Sequence, residues 1–214
     1  MATWTSLITP LLVDLTDPTG IFHPTATIQR HLEHAELLLT LRRSLYERTQ
    51  TLLLSSMTPL YTIHTYFPDF IRPLRVTVAG VALRWSSLAA VSRLNRQWWI
   101  ARAEPESVFM VGKTILGFAP FPDAESAEVT YLAAPPTSAT PSASPVIDSK
   151  YHLTMKKYAE AVALGKEAEY QRAAAAMKEF MELANIERDE RFLEGLSQNT
   201  AQRNTRQVER QAHD

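Results

Sequence analysis

The sequence predicts an α+β chain. A long N-terminal helix and a C-terminal helical hairpin pack with a small antiparallel β-sheet, and an extended polar C-terminal tail follows. Three observations predict it. Ile28, Leu32, Ala35 and Leu39 recur at helical spacing. Leu74–Val78 and Val81–Trp85 alternate apolar and polar residues on either side of Ala79-Gly80, a hairpin turn signal. After a Pro/Ser/Ala-rich stretch the helical period returns. It then fails in residues 197–214, whose only aliphatic residues are Val208 and two alanines. Such a run buries too little apolar area to offset the roughly 1–2 kcal/mol per residue of lost backbone entropy.

Residues 4–13 fit a short helix around Leu7, Ile8, Leu11 and Leu12, closed by the turn residues Asp17, Pro18, Thr19 and Gly20. Pro24-Thr25 starts a second helix of about six turns. Its apolar face runs on to Tyr46, with Arg30, Glu33, Arg43 and Glu47 elsewhere. Residues 49–68 are rich in Thr, Tyr and Leu and cut by Pro59 and Pro68, which suits short strands or extended connections.

The first hairpin leads into Ser86-Ser87, an N-cap for a short helix carrying Leu88, Val91 and Leu94. Val108–Val111 turns at Gly112-Lys113 and returns as Thr114–Phe118, and Ala127–Leu132 supplies a further strand. Four or five strands in hairpins therefore make one small antiparallel sheet with a helix inserted after its first hairpin. Residues 133–147 read as a semi-extended connector. Asp148-Ser149 caps a helix with Tyr151, Met155, Tyr158 and Val162 on one face. Gly165 fits its C′ position, and a second helix runs from Lys166 toward Leu196 with Ala173, Met177, Phe180, Met181 and Ala184 on one side. The organisation expected is a helical region over 1–50, a β region with the short helix over 51–133, a linker over 134–147, the helical hairpin over 148–196 and a tail over 197–214.

Composition excludes several functions. The net charge is −1. It is spread evenly, with 12 basic and 12 acidic residues up to position 150 and 10 and 11 after it. Neither half has the basic excess of a protein that grips phosphates. The chain has no cysteine, so disulfides, thiolate chemistry and cysteine zinc sites are excluded. The N-terminus lacks a basic n-region and its apolar run is broken by Pro10, so no secretory signal is expected. No run approaches the ~20 apolar residues of a membrane span. The expectation is a soluble protein of cytosolic origin.

Catalytic chemistry finds little support. His31 and His34 flank Glu33 at a spacing that can face one metal, with His23 nearby, but no second motif supplies further ligands. They read as surface or inter-subunit histidines. Asp14, Asp17, Asp123, Glu125 and Glu128 read as solvated loop or strand-face carboxylates. The six glycines are scattered, leaving no phosphate-binding loop and no nucleophile elbow. No cofactor and no metal is expected. The one aromatic-plus-basic cluster is Trp98-Trp99 with Arg93, Arg96 and Arg102. Neighbouring tryptophans point to opposite faces if extended, so one belongs to the core. The other suits a protein interface, where Trp and Arg are enriched, or a base-stacking platform.

The order of elements resembles the head-to-tail adaptor (connector) proteins of tailed bacteriophages. The matching residues are Leu74–Gly80, Val81–Trp85, Ser87-Leu88, Trp98 and Pro120-Phe121-Pro122-Asp123. They continue through Val129–Pro136, Tyr151-His152, Tyr158-Ala159 and Phe180, so the resemblance spans about residues 20–185. Glu104 stands where the family has glycine before Pro105, and Val108-Phe109 where it has an aromatic pair.

The resemblance implies a non-enzymatic virion protein of the tail or neck, assembled in the host cytoplasm as a ring of twelve copies. The helical part docks on the portal protein and the β part faces tail nozzle or fibre proteins. Double-stranded DNA passes through the lumen without specific binding. The tail then becomes a portal-docking arm through Phe192, Leu193, Leu196, Arg203, Arg206 and Arg210. Trp98, Trp99, Arg96 and Arg102 become a subunit or tail interface. Two other readings stay open. One is a nucleic-acid-binding module using Trp98/Trp99 and the nearby arginines; the other is a head-completion or tail-terminator ring.

Overall fold

A computed structural model describes residues 2–184 except positions 101, 124, 139 and 141. The α+β class holds, with six helices and eight strands among the described residues. The chain forms two compact units, one built from residues up to Leu39 together with those from Ser138 on, the other from Thr40–Thr137.

The first unit is helical. Helix α1 (Trp4–Asp14) is capped by Thr3, whose hydroxyl accepts from the Ser6 amide, and buries Trp4, Leu7, Ile8, Leu11 and Leu12. Helix α2 (Thr25–Arg43) follows Pro24 and seals the predicted stripe: Ile28, Leu32, Ala35 and Leu39 are fully buried. Each such large aliphatic side chain contributes about 2 kcal/mol. The helix is shorter than the pattern implied, because Ser44 turns left-handed at φ 56° and leaves Tyr46 beyond its end.

Asp148 accepts from the Lys150 amide and opens a 3-10 turn leading into α5 (His152–Lys166), and α6 occupies residues 170–184. Two details of this hairpin differ from the sequence reading. Gly165 lies inside α5, and the left-handed position is Ala168 at φ 62°. The Glu169 amide reaches back to the Leu164 carbonyl at 3.1 Å, the six-to-one bond of a Schellman cap. The buried face of α6 is Ala176, Phe180 and Ala184, and Met181 is exposed. A 3.6-residue period places 181 about 100° away from Phe180.

The connector has no regular structure in its described part, yet it is tied down by side chains of α2. Gln29 donates to the Ser138 carbonyl at 2.7 Å and to Glu33, which accepts from the Ser138 amide at 3.1 Å. One oxygen of Glu36 accepts from both the Val146 and Ile147 amides. The Trp4 amide donates to Ala143. Glu36 is 1% exposed, and burial raises its carboxyl above the ordinary range against the pull of those two amides, with Glu33 nearby adding to the rise.

The second unit holds two four-stranded sheets. Its strands are β1 (Glu47–Leu53), β2 (Leu60–Thr62), β3 (Phe70–Val78), β4 (Val81–Ala82), β5 (Arg84–Ser86), β6 (Ser107–Val111), β7 (Ile115–Ala119) and β8 (Ser126–Ala133). One sheet runs β1-β8-β3-β4 and the other β2-β7-β6-β5. The short helices α3 (Ile63–Tyr66) and α4 (Leu88–Leu94) interrupt the order.

The β3–β4 hairpin turns at Ala79 and Gly80, both left-handed at φ 48° and 80°, as a two-residue loop matching strand twist requires. The return run does not stay in that sheet. Leu83 buries its side chain and donates to Val76, then the Arg84 amide donates to Glu106 and β5 joins β6 in parallel. Alternation alone cannot reveal that switch, because both halves keep the same period. Pairs β1–β8, β3–β8, β2–β7 and β6–β7 are antiparallel. The core gathers Leu52, Phe67, Val76, Val108, Phe118, Val129 and Tyr131. At its rim the Tyr131 hydroxyl donates to Asp69 at 2.8 Å and Arg48 pairs with the same carboxylate at 2.5 Å. Burial and the neighbouring Asp69 push the Tyr131 phenol well up.

Candidate functional site

The residues between α4 and β6 form the surface that the sequence singled out, and each is placed by an identifiable contact. Ser87 caps α4 by accepting from the Ala90 amide at 3.1 Å, and Val91 is the helix residue turned inward. Asn95 ends the helix. Its side chain accepts from the Gln97 amide at 2.8 Å and its carbonyl from Trp98, so the chain folds back within three residues.

That turn sends Trp98 into a small core of Val91, Phe109 and Ala119, where it meets the Phe109 ring edge-on at 5.1 Å. The Phe109 ring in turn lies over Gly117, its partner across the β6–β7 ladder. A Cβ on Gly117 would sit 2.3 Å from the ring, so only glycine leaves room.

With Trp98 fixed inward, Trp99 faces out at 56% exposure, alongside Ile100 and Leu94. Arg93 and Arg96 are exposed as well. Arg102 is exposed but held: it donates to the Ser56 carbonyl at 3.1 Å, lies 5.8 Å from the centre of the Phe121 ring, and bridges that residue through the backbone. Trp98 is therefore a support for this surface and not part of it. Trp99, Arg96 and Arg102 belong to it, and Leu94 and Ile100 are members that sequence reasoning passed over. Their signal was present in the sequence as apolar residues flanking the Trp pair. What was missing was the side of the turn on which each falls.

The other candidates do not assemble a reacting centre. His23 pairs with Glu167 at 2.8 Å, His31 with Lys166 at 3.1 Å, and His34 with the Tyr158 hydroxyl at 2.7 Å. The three histidines thus meet three different groups on and just after α5. Burial, and then the Lys166, His34 and His23 charges, hold the His31 imidazole below its ordinary value.

Asp17 is not a solvated loop carboxylate. It is 4% exposed and accepts from the Ile21, Phe22 and His23 amides and the Thr19 hydroxyl. Burial acts to raise its carboxyl, and these donors together hold it below the usual range. Among the described residues no group of three metal-ligating side chains converges, and no helix is long and apolar enough to cross a membrane. Phe192, Leu193, Leu196, Arg203, Arg206 and Arg210 lie outside the described residues.

Exposed Trp, Ile, Leu and Arg side chains at the end of α4 and in the loop after it are the chemistry of a protein contact. A search of curated proteins found no match. The family model described as SU10 adaptor protein matches residues 2–210, nearly the whole chain. The chain belongs to the SU10 adaptor protein family and is a structural component of the bacteriophage neck, a head-to-tail adaptor and not an enzyme.

Proposed function

We propose that the chain is the subunit of a ring, of twelve copies, that joins the portal protein to the tail nozzle or fibre proteins and surrounds the DNA channel. The observation that carries this reading is the Trp99 surface. An aromatic residue held outward by a buried neighbour, flanked by Leu94, Ile100, Arg96 and Arg102, is a preorganised contact for a neighbouring subunit or a tail protein. Charge supports the conduit role, since a subunit of net charge −1 builds no trap for passing phosphates. In this reading the helical unit meets the portal and the β unit meets the tail. Residues 197–214 act as a docking arm, anchored by Phe192, Leu193 and Leu196 and carrying Arg203, Arg206 and Arg210. The ring takes its place in the virion after assembly in the host cytoplasm.

Electron microscopy of the purified protein with and without portal tests this: rings are expected only with portal. Deleting residues 197–214 is expected to leave a folded subunit that no longer joins portals. A truncated protein that assembles on portals with unchanged affinity removes the docking arm from the proposal. The exposed Trp99 beside arginines also supports a second reading, base stacking on single strands, which requires salt-sensitive DNA binding by the isolated subunit. Under the adaptor reading that binding is absent.

A further inference from the structure

The strand β1 ends its sheet, and it is the longest regular edge among the described strands, since the side of β3 that β4 leaves uncovered before Thr77 is irregular. The other sheet ends, β2, β4 and β5, are three, two and three residues long, whereas β1 is seven. Its pairing with β8 runs unbroken from Glu47–Leu132 to Leu53–Ser126, whereas β3 behind the opposite end carries Pro73 and two register shifts. The direction of its free hydrogen-bonding groups follows from two bonds. The Leu54 amide donates to Glu125, and the Ala133 amide donates to Tyr46. Antiparallel alternation then turns residues 48, 50 and 52 toward β8 as well. The N–H and C=O groups of Glu47, Thr49, Thr51 and Leu53 therefore point away from the sheet, and all four side chains are exposed. Natural edges are usually shortened, bulged or interrupted by proline, and this one is not.

We propose that β1 of a second copy of this chain covers this edge, pairing antiparallel about a two-fold axis at Gln50. Length and charge choose that occupant. No other described edge of the chain offers seven residues in unbroken register, and centring on Gln50 is the one antiparallel register that uses all four outward residues. It sets Glu47 opposite Leu53 and Thr49 opposite Thr51, twice each by symmetry, a β-branched pair at the middle. Shifting the register by two residues toward the N-terminus moves the axis to Thr49 and leaves Leu53 unpaired. A further shift sets Arg48 against itself, and like charges directly opposed are destabilising. The contact is isologous and closes at two copies, so it is separate from the head-to-tail seam that a ring needs and does not rest on the ring reading.

The experiment is sedimentation velocity of the full chain across a wide concentration series, with amide exchange at both ends of it. A concentration-dependent dimer is expected, and the Thr49 and Thr51 amides become protected as it forms. Those of Arg48, Gln50 and Leu52 stay protected throughout. Thr51→Pro removes an outward donor and leaves the β8 ladder intact, so it is expected to weaken the dimer about tenfold or more. A monomer at every concentration with freely exchanging Thr49 and Thr51 overturns the proposal. So does a dimer indifferent to Thr51→Pro. Protection of these two amides that appears only when portal or a tail protein is added also overturns it, since the edge then belongs to another chain. If the proline variant fails to fold, the exchange pattern of the unaltered chain decides alone.

Discussion

The two units satisfy their backbones by different means. In the β unit, ladder bonds between strands do most of the work, and the side chains are left to fill the core around Val76, Val129 and Phe118. In the helical unit the irregular segments have no strand to pair with. Their backbone groups end on polar side chains instead: the amides of the loop after α1 on Asp17, those of the connector on Glu33 and Glu36, and the Ser138 carbonyl on Gln29. A buried amide needs a partner wherever it lies. A unit short of ladders therefore relies on a few carboxylates, and each carries several bonds. The lesson is that single polar substitutions threaten the helical unit, whereas steric ones threaten the β unit.

Four perturbations break or sharpen this contrast. The largest effect is expected from Gly117→Ala, which drives a methyl into the Phe109 ring packed between Trp98 and the ladder. A loss of about 3 kcal/mol in urea unfolding is expected, with exchange rising first in β6 and β7. A near-neutral result would show that this packing can shift.

Next is Glu36→Ala, which orphans the Val146 and Ile147 amides and is expected to lower stability by about 2 kcal/mol. Glu36→Gln retains a carbonyl acceptor and should lose far less. Equal losses in the two variants would mean that the charge, not the acceptor, holds the connector.

The third is acidification. His31 and His152 both titrate below the ordinary histidine value of 6.5, chiefly through burial. Their neutral forms are the ones the fold favours, so their contribution is complete above that value and drains as pH falls through the lower folded values. Asp17 and Asp148 are held below 3.8, so what they add is lost only in stronger acid, and Glu36, raised, works in the opposite direction. Urea midpoints of the helical unit should decline from pH 7.5 toward pH 5, and His31→Gln should flatten the slope. An unchanged slope in that variant would remove His31 from the account.

The smallest effect compares the two chain reversals. Ala79 in the β-turn and Ala168 in the helix cap both sit left-handed, so replacing either with glycine should gain about 0.5 kcal/mol. A gain in one and a loss in the other would mark the losing site as held by its methyl group.

The sequence made visible what depends on periodicity. The α2 stripe, the Ser87 and Asp148 caps, the Ala79-Gly80 turn and the β6–β7 hairpin all follow from spacing and turn chemistry within a few residues. The alternative sides of Trp98 and Trp99 were also legible as a choice, though not which one went in. Long-range matters were not legible. The splitting of residues 81–86 between two sheets depends on Glu106, and the burial of Glu36 depends on amides 110 residues away. An acidic residue on a helix looks the same in sequence whether water or a distant connector meets it. Leu94 and Ile100 were overlooked for a similar reason, because exposure is set by the turn at Asn95.

The helical unit draws on both ends of the chain, with the 98 residues 40–137 placed between its halves. During synthesis α2 leaves the ribosome long before the segments that help complete its unit, the connector and α5, have been made. At about 5–20 residues per second that interval lasts roughly 5–20 s. Throughout it Gln29, Glu33 and Glu36 lack their connector partners and His31 and His34 their partners on α5, while the β unit has everything it needs to close first. The nascent protein is therefore open to chaperones, and to other nascent copies, at its N-terminal helix.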